Sequence, residues 1–167
     1  KVAPTLIPLT MPIANVMENY NAVLIHASNA GPTLLVGQGA GSLPTASAVV
    51  SDLVDVAMGR YRETARLFKF FHNGDLMKSV DIGQEKSGKY ARMSVPDKAG
   101  MLASICQNLS NAGISLLSIN QSRFMPDGCA VVEVTTHPCL SSDFSKAIAQ
   151  IEGQGLCRGR PTTFSMV

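Results

Sequence analysis

Residues 90–121 constrain the fold of this chain more than any other segment. Apolar residues alternate along its first part, a short turn ends at Gly100, and apolar residues then recur at helical spacing until Gly113. This pattern predicts a strand, a tight turn, an amphipathic helix and a second strand. Because the first N–H groups of a helix have no partner inside the helix, such a turn suits a small anion, for example an amino-acid carboxylate. The segment therefore indicates a ligand-sensing module.

The remainder of the C-terminal half predicts one sheet with two helices. Residues 114–123 and 129–136 have the composition of strands, with a turn at 125–128 between them. A second helix ends at Gly153, and a last strand is predicted at 162–166. The order is βαββαβ, the ferredoxin-like arrangement in which helices cover one face of an antiparallel sheet. The predicted fold class is α+β.

The N-terminal part predicts a hairpin and a helix. Residues 21–27 form an apolar run typical of a buried strand, Gly31 and Pro32 turn the chain, and 33–36 predict the second strand. A helix is predicted over 44–58, because apolar residues recur there at helical spacing and Pro44 suits a first turn. The more polar stretch that follows, with an aromatic cluster at 67–71, is interpreted as a linker. The predicted domains are 1–60 and 89–167, with the linker at 61–88 between them.

Composition excludes several classes of function. Hydrophobic residues make up 46% and charged residues 16% of the 167 residues, so a packed core is expected. A net charge of +2 without a Lys/Arg run argues against nucleic-acid binding. No apolar stretch reaches the roughly 18 residues that a membrane span needs. The cysteines show no CxxC spacing, which predicts reduced thiols and a cytoplasmic protein; they are Cys106, Cys129, Cys139 and Cys157.

No catalytic or metal-binding residue is predicted. His26, His72 and His137 are far apart, and none has a carboxylate or cysteine at ligand spacing. Ser47 and Ser51 lie inside the predicted helix rather than at a nucleophile elbow. Structural or surface roles are therefore expected for the three histidines, and no Ser/His/Asp set is assembled from these residues.

The glycine-rich stretch 37–41 has two interpretations. A dinucleotide-binding GxGxxG motif would need glycine at position 42, where the chain has Ser42, and no parallel strand with an acidic end follows the predicted helix. Three glycines in five residues still require a reason, because each one adds conformational freedom that folding must remove. They either allow a ligand to approach the backbone or form a tight strand-to-helix corner.

Two alternatives also remain at the turn before Gly100. Asp97 either contacts a ligand or caps the following helix, and the two roles are compatible. The amides of Asn120 and Gln121, near the end of the second strand, either reach a ligand or satisfy the backbone.

Two stretches carry a resemblance to a known family. Residues 37–53, GQGAGSLPTASAVVSDL, resemble the signature that ends the catalytic region of homoserine dehydrogenase, and the approach to it at 4–8, 12–14 and 21–23 is similar too. Residues 90–167 resemble the ACT regulatory domain at the end of bacterial homoserine dehydrogenases. The resemblance implies a ferredoxin-like ACT domain preceded by a strand-hairpin-plus-helix part of the dehydrogenase catalytic domain.

The resemblance implies an NAD- or NADP-dependent oxidoreductase. Such enzymes interconvert L-aspartate 4-semialdehyde and L-homoserine on the path to threonine and methionine. Gly39, Ala40 and Gly41 would line the nicotinamide end of the cofactor. The Rossmann domain and the catalytic residues of the family have no counterpart in the sequence. We therefore expect this chain alone to be inactive and to bind no cofactor.

The resemblance also implies an amino-acid effector, with L-threonine as the candidate for feedback inhibition. Backbone amides of the turn would hold its carboxylate, Asp97 its ammonium, and Asn120 or Gln121 its side chain. The predicted effector-binding residues are Asp97, Lys98, Ala99, Gly100, Met101, Leu102, Asn120 and Gln121. ACT domains commonly pair, which implies a homodimer or a higher homo-oligomer. The alternatives are an ACT domain that only dimerises and a free-standing amino-acid-sensing ACT protein.

Overall fold

The computed structural model describes residues 2–67, 81–124 and 128–167. These residues form two compact units. The sheet unit contains the described residues up to Ile7 and those from Asp81 onward, and the hairpin unit contains those from Pro8 to Leu67.

The described part of the chain contains strands and helices in the following order. The elements are β1 (Thr5–Leu6), β2 (Tyr20–Ala27), β3 (Gly31–Gln38), α1 (Ser42–Ala57), α2 (Arg60–Leu67), β4 (Lys86–Pro96), α3 (Met101–Asn111), β5 (Leu116–Phe124), β6 (Cys129–Thr136), β7 (Cys139–Leu140), α4 (Ser141–Gly153) and β8 (Arg158–Met166). Short 3₁₀ turns lie at Pro12–Asn15 and Ile82–Gln84. The α+β class expected from the sequence is confirmed.

The sheet unit is built on one sheet with the strand order β1-β8-β4-β6-β5. β4 pairs antiparallel with both β6 and β8, and β5 pairs antiparallel with β6. The two-residue β1 adds to β8 in parallel, and the equally short β7 pairs with the start of β4. Apart from β1 and β7, the chain runs β4-α3-β5-β6-α4-β8 in this unit.

The core of the sheet unit lies between one face of the sheet and the helices α3 and α4. Alternation along β4 buries Ala91, Met93 and Val95, which pair in register with residues of β6. Ile105 and Leu109 follow at helical spacing on α3 and are fully enclosed. Complete burial of an aliphatic side chain of this size stabilises the fold by about 1.5–3 kcal/mol. The predicted strand alternation is confirmed, and so is the helix predicted between Gly100 and Gly113, which spans Met101–Asn111.

The hairpin unit confirms its predicted elements but not the predicted burial. β2 and β3 form the expected antiparallel hairpin, and α1 covers the expected helix. Residues 21–27 were expected to form a buried strand, yet Val23 is 58% and Ile25 is 47% exposed, and α1 has no buried residue. A two-stranded sheet and single helices offer too little surface to enclose a core, which is why these apolar side chains remain exposed.

The stretch interpreted as a linker contains regular structure at both ends. α2 occupies Arg60–Leu67, and β4 begins at Lys86 rather than Tyr90. Before β4, Gly83 N–H donates to Asp81 Oδ1 at 3.0 Å, and this bond caps the start of the 3₁₀ turn Ile82–Gln84. The rest of the aromatic cluster (68–71), His72 and the turn residues 125–127 lie outside the described residues. Within the described ranges, no helix has the length and apolar character that crossing a membrane requires.

Candidate functional site

A pocket of about 270 Å³ lies at the corner between β4 and α3. It includes every predicted effector-binding residue from the turn together with Gln121. Its lining residues are Val95, Pro96, Asp97, Lys98, Ala99, Gly100, Met101, Leu102 and Gln121. We call it the β4–α3 pocket.

Gly100 gives this corner its shape. Its φ of +89° is in the left-handed region, which glycine adopts far more readily than residues with a Cβ atom. Its carbonyl oxygen accepts hydrogen bonds from Ser104 N–H at 2.9 Å and from the Ser104 hydroxyl at 3.1 Å. On the other side, Asp97 N–H donates to Gly128 O at 3.1 Å. The turn is therefore anchored both to the first turn of α3 and to the residue before β6.

The backbone donors of the turn divide into two groups. Lys98 N–H donates to Pro96 O at 2.9 Å, and Met101 N–H donates to Lys98 O at 3.3 Å. These two amides close the turn itself. They are therefore not open to a ligand, although all amides of the turn were expected to hold its carboxylate. No hydrogen bond within the described residues involves the N–H groups of Ala99, Gly100 or Leu102. Three amides that line the pocket therefore remain available to an anion.

Asp97 does not cap α3. The N-cap position belongs to Gly100, and no side chain accepts a capping hydrogen bond there. The capping alternative is therefore wrong, because the left-handed residue begins the helix three positions after Asp97. Instead, Asp97 Oδ1 accepts a hydrogen bond from Gln121 Nε2 at 3.3 Å. This long contact joins two exposed side chains, so a ligand can replace it at little cost.

Asn120 and Gln121 point to opposite faces of the sheet. Gln121 is opposite Val132, which belongs to the core beneath the helices, whereas Asn120 is opposite Glu133. Gln121 lines the β4–α3 pocket, and Asn120 does not. The structure thus brings together seven of the eight predicted effector-binding residues and separates Asn120 from them.

The stretch 39–41 forms a corner between β3 and α1. Gly39 N–H donates to Asn19 O at 2.8 Å, and Asn19 Nδ2 donates to Ala40 O at 3.2 Å. The Asn21 side chain fills the space that a Cβ atom at Gly39 would occupy. Gly41 is the N-cap of α1 and has a φ of +126°. Both glycines therefore have local packing reasons, which favours the corner interpretation; nicotinamide contact at 39–41 stays a prediction.

Metal binding and disulfides have no support in the described residues. No group of three potential metal ligands occurs among them. The four cysteines are free in the structure; Cys129 is buried, and the other three are partly exposed. Burial and, to a lesser extent, the Glu152 carboxylate raise the pKa of the Cys157 thiol.

Comparison with known proteins places the chain in a family. A family model described as homoserine dehydrogenase matches residues 1–54. The homoserine dehydrogenase of Corynebacterium glutamicum is 32% identical over 154 residues, which cover 92% of this chain and 34% of that protein. The homoserine dehydrogenase of Neisseria gonorrhoeae is 33% identical over 167 residues, with 98% of this chain and 38% of that protein covered.

Solved structures agree with these matches. The crystal structure of a homoserine dehydrogenase from Thiobacillus denitrificans matches with a TM-score of 0.78 and 31% identity, covering 98% of this chain and 38% of that one. The chain spans a little over a third of the length of these relatives. The resemblance noted in the sequence is confirmed: the chain belongs to the homoserine dehydrogenase family.

Proposed function

We propose that the sheet unit is an ACT domain that binds a free amino acid in the β4–α3 pocket, with L-threonine as the candidate ligand. The observation that supports this proposal is that three open backbone amides and the carboxylate of Asp97 lie in the same pocket. An α-amino acid offers a carboxylate to Ala99, Gly100 and Leu102 and an ammonium to Asp97. Charge-assisted hydrogen bonds of this kind are roughly twice as strong as neutral ones.

Gln121 recognises the side chain of the bound amino acid. Its amide carries both a donor and an acceptor, so it can pair with a hydroxyl in either direction. In the free protein it donates to Asp97 at 3.3 Å. A ligand that inserts its ammonium beside Asp97 releases the Gln121 amide for the ligand hydroxyl. This exchange favours threonine over an amino acid of similar size without a hydroxyl group.

The same site serves feedback regulation of a larger enzyme. That enzyme is a cytoplasmic NAD(P)-dependent oxidoreductase that interconverts L-aspartate 4-semialdehyde and L-homoserine. Effector binding and the state of the catalytic part are linked by a coupling free energy, typically 1–3 kcal/mol. Gly39, Ala40 and Gly41 would line the nicotinamide end of the cofactor, and the bound cofactor would supply the hydride. The proton-moving residues and most of the cofactor site belong to the part of the relatives that this chain does not match.

Calorimetric titration tests the sensor. We expect L-threonine to bind the 167-residue chain saturably and D-threonine to bind at least tenfold more weakly, because inversion at Cα misplaces one of the two charged groups. Equal heats from both enantiomers, or none from L-threonine, contradict the proposal. A separate spectrophotometric assay with L-homoserine and NAD or NADP is expected to show no turnover. Turnover would overturn the assignment of catalysis to the unmatched part and leave the sensor proposal standing.

The exposed edge of β5 supports a second candidate function, dimerisation without a ligand. Of the strands in the described sheet, β5 pairs only with β6, and Leu117 on it is 59% exposed. An open edge can pair with a second copy of the same strand. Sedimentation equilibrium that shows a constant dimer, together with a melting temperature that L-threonine does not change, supports this function over effector binding.

A further inference from the structure

A groove of about 200 Å³ lies between α4 and β8 in the sheet unit and shares no residue with the β4–α3 pocket. Its apolar lining comes mainly from Phe144, Ile148 and Pro161. Glu152 and Arg160 bring two opposite charges to the same groove. We call it the α4–β8 groove. None of these residues takes part in the proposed binding of threonine.

A β-bulge brings Arg160 into the groove. Residues 159–161 of β8 lie opposite the single residue Met93 of β4. In a regular strand, neighbouring side chains such as those of Arg160 and Pro161 face opposite sides of the sheet. Here both residues line the same groove beside α4. Bulges are common next to functional sites, where the extra residues redirect a side chain.

The two charged side chains of the groove do not pair with each other. Neither the Glu152 carboxylate nor the Arg160 guanidinium forms an ion pair or a side-chain hydrogen bond with the residues that the structure describes. Both side chains are exposed, so water can be displaced from them at little cost. Opposite charges that line one groove without meeting complement a molecule that carries both charges itself.

The edge of β8 argues against an extended peptide as the occupant. β1 pairs with β8 only at Ser165 and Met166, so residues 158–164 form an edge of the described sheet. A strand that adds to an edge needs a continuous row of backbone donors and acceptors. Pro161 has no N–H group, and the bulge at 159–161 interrupts the row. The groove therefore suits a free small molecule better than an added strand.

We propose that the α4–β8 groove binds a free α-amino acid with an apolar side chain. Arg160 pairs with its carboxylate, Glu152 pairs with its ammonium, and the side chain contacts Phe144, Ile148 and Pro161. Sites for drug-sized molecules have volumes of about 300–1,000 Å³, so this smaller groove suits a ligand of amino-acid size. The apolar contact adds to the two ion pairs, because it removes hydrocarbon surface from water.

An NMR titration of the full chain tests the site with L-leucine and two analogues. Isocaproate keeps the hydrocarbon chain and the carboxylate of leucine, and isoamylamine keeps the chain and the ammonium. We expect saturable shifts of the Ile148, Glu152 and Arg160 amide signals with L-leucine, and about threefold weaker binding of each analogue, since exposed ion pairs are weak. Equal affinities for the three molecules, linear shifts without saturation, or shifts confined to residues 97–102 overturn the proposal.

Variants of the two charges assign each end of the ligand. Arg160→Gln should weaken L-leucine and isocaproate about threefold and leave isoamylamine unchanged. Glu152→Gln should weaken L-leucine and isoamylamine and leave isocaproate unchanged. Lys146→Gln is the matched control, because Lys146 is an exposed charge of α4 that does not line the groove. The control should bind all three molecules like the unmodified chain, and equal effects of Arg160→Gln and Lys146→Gln contradict the assignment.

Filling the groove tests the site without a change of charge. Ala149 lines the groove from an exposed position on α4, so Ala149→Phe places a ring in it. Ala103→Phe is the matched control, on an exposed position of α3 outside the groove. L-leucine binding should be lost in Ala149→Phe and kept in Ala103→Phe. Unchanged binding in Ala149→Phe contradicts the site.

Discussion

Replacing Gly100 by aspartate separates the electrostatics of the β4–α3 pocket from the backbone strain of its turn. Gly100 has a φ of +89°, and a Cβ atom added there would meet no atom within 4 Å. The new side chain therefore fits without a clash and places a carboxylate at the pocket where we expect the carboxylate of the ligand. Gly155, after α4, has a φ of +68° and the same open space, but it does not line the pocket.

Both substitutions should cost the same stability. A residue with a Cβ atom in the left-handed region costs about 1–2 kcal/mol, and aspartate tolerates this region better than most residues. We expect about 1 kcal/mol for each variant, with a fall in melting temperature of about 4–8 °C for a unit of this size. Thermal unfolding followed by circular dichroism measures this cost, and the two variants should agree within about 0.5 kcal/mol.

Their effects on threonine binding should differ. Two unit charges of the same sign about 5 Å apart repel by about 3 kcal/mol at an effective dielectric constant of about 20. Solvent around the exposed turn lowers this value, so we expect Gly100→Asp to weaken L-threonine binding by about ten- to a hundredfold. Gly155→Asp should bind L-threonine like the unmodified chain. Calorimetry that gives equal affinities for the two variants would refute the placement of the ligand carboxylate at this corner.

Three further predictions concern single side chains. Gln121→Ala should weaken L-threonine binding by calorimetry, and Asn120→Ala should not, because only Gln121 lines the pocket; equal losses contradict this. Ile105→Ala should lower the free energy of unfolding in urea by about 2–5 kcal/mol, because Ile105 is fully buried; a loss under about 1 kcal/mol contradicts it. Burial and the hydrogen bond to Glu133 raise the pKa of the Tyr90 hydroxyl above its ordinary value of 10.0. The contribution of this hydroxyl to the free energy of unfolding is therefore present below pH 10.0 and is lost as the pH rises through the pKa of the folded state. Urea unfolding of Tyr90→Phe should show less of this loss, and an unchanged profile contradicts the assignment.

Local patterns made α3 and its turn predictable. Gly100 and Gly113 mark the two ends of the predicted helix, and both adopt positive φ in the structure. The apolar spacing between them belongs to a single element, so no distant partner has to be known. The strand β6 is predicted with its observed bounds for a similar reason.

Long-range pairing explains the errors at other strands. β1 is not recognised in the sequence, because its two residues become a strand only by pairing with Ser165 and Met166. β8 begins at Arg158 instead of Thr162, since its first part joins β4 across an irregularity in register between Arg92 and Ser94. Neither pairing leaves a periodic signal in the segment itself.

The candidate sites differ in the same way. The residues of the β4–α3 pocket are mostly consecutive, so one motif identifies them. Only the choice between Asn120 and Gln121 required the pairing register of β5 with β6. A separate cavity of about 340 Å³ in the sheet unit combines residues of β4, α4 and β8 with the segment before β1. Lys89, which lines it, is only 4% exposed, but a lysine directly before the predicted start of a strand gives no sign that it is buried. This cavity was therefore not predictable from the sequence.

The amide signals of the β4–α3 turn provide the most direct test of effector binding. In an NMR titration with L-threonine, we predict the largest saturable shifts at the N–H groups of Ala99, Gly100 and Leu102, because these amides have no partner in the described structure. Smaller shifts are predicted at Lys98 and Met101, which already donate to carbonyl groups. Unmoved signals at all three open amides under saturating L-threonine would contradict the account.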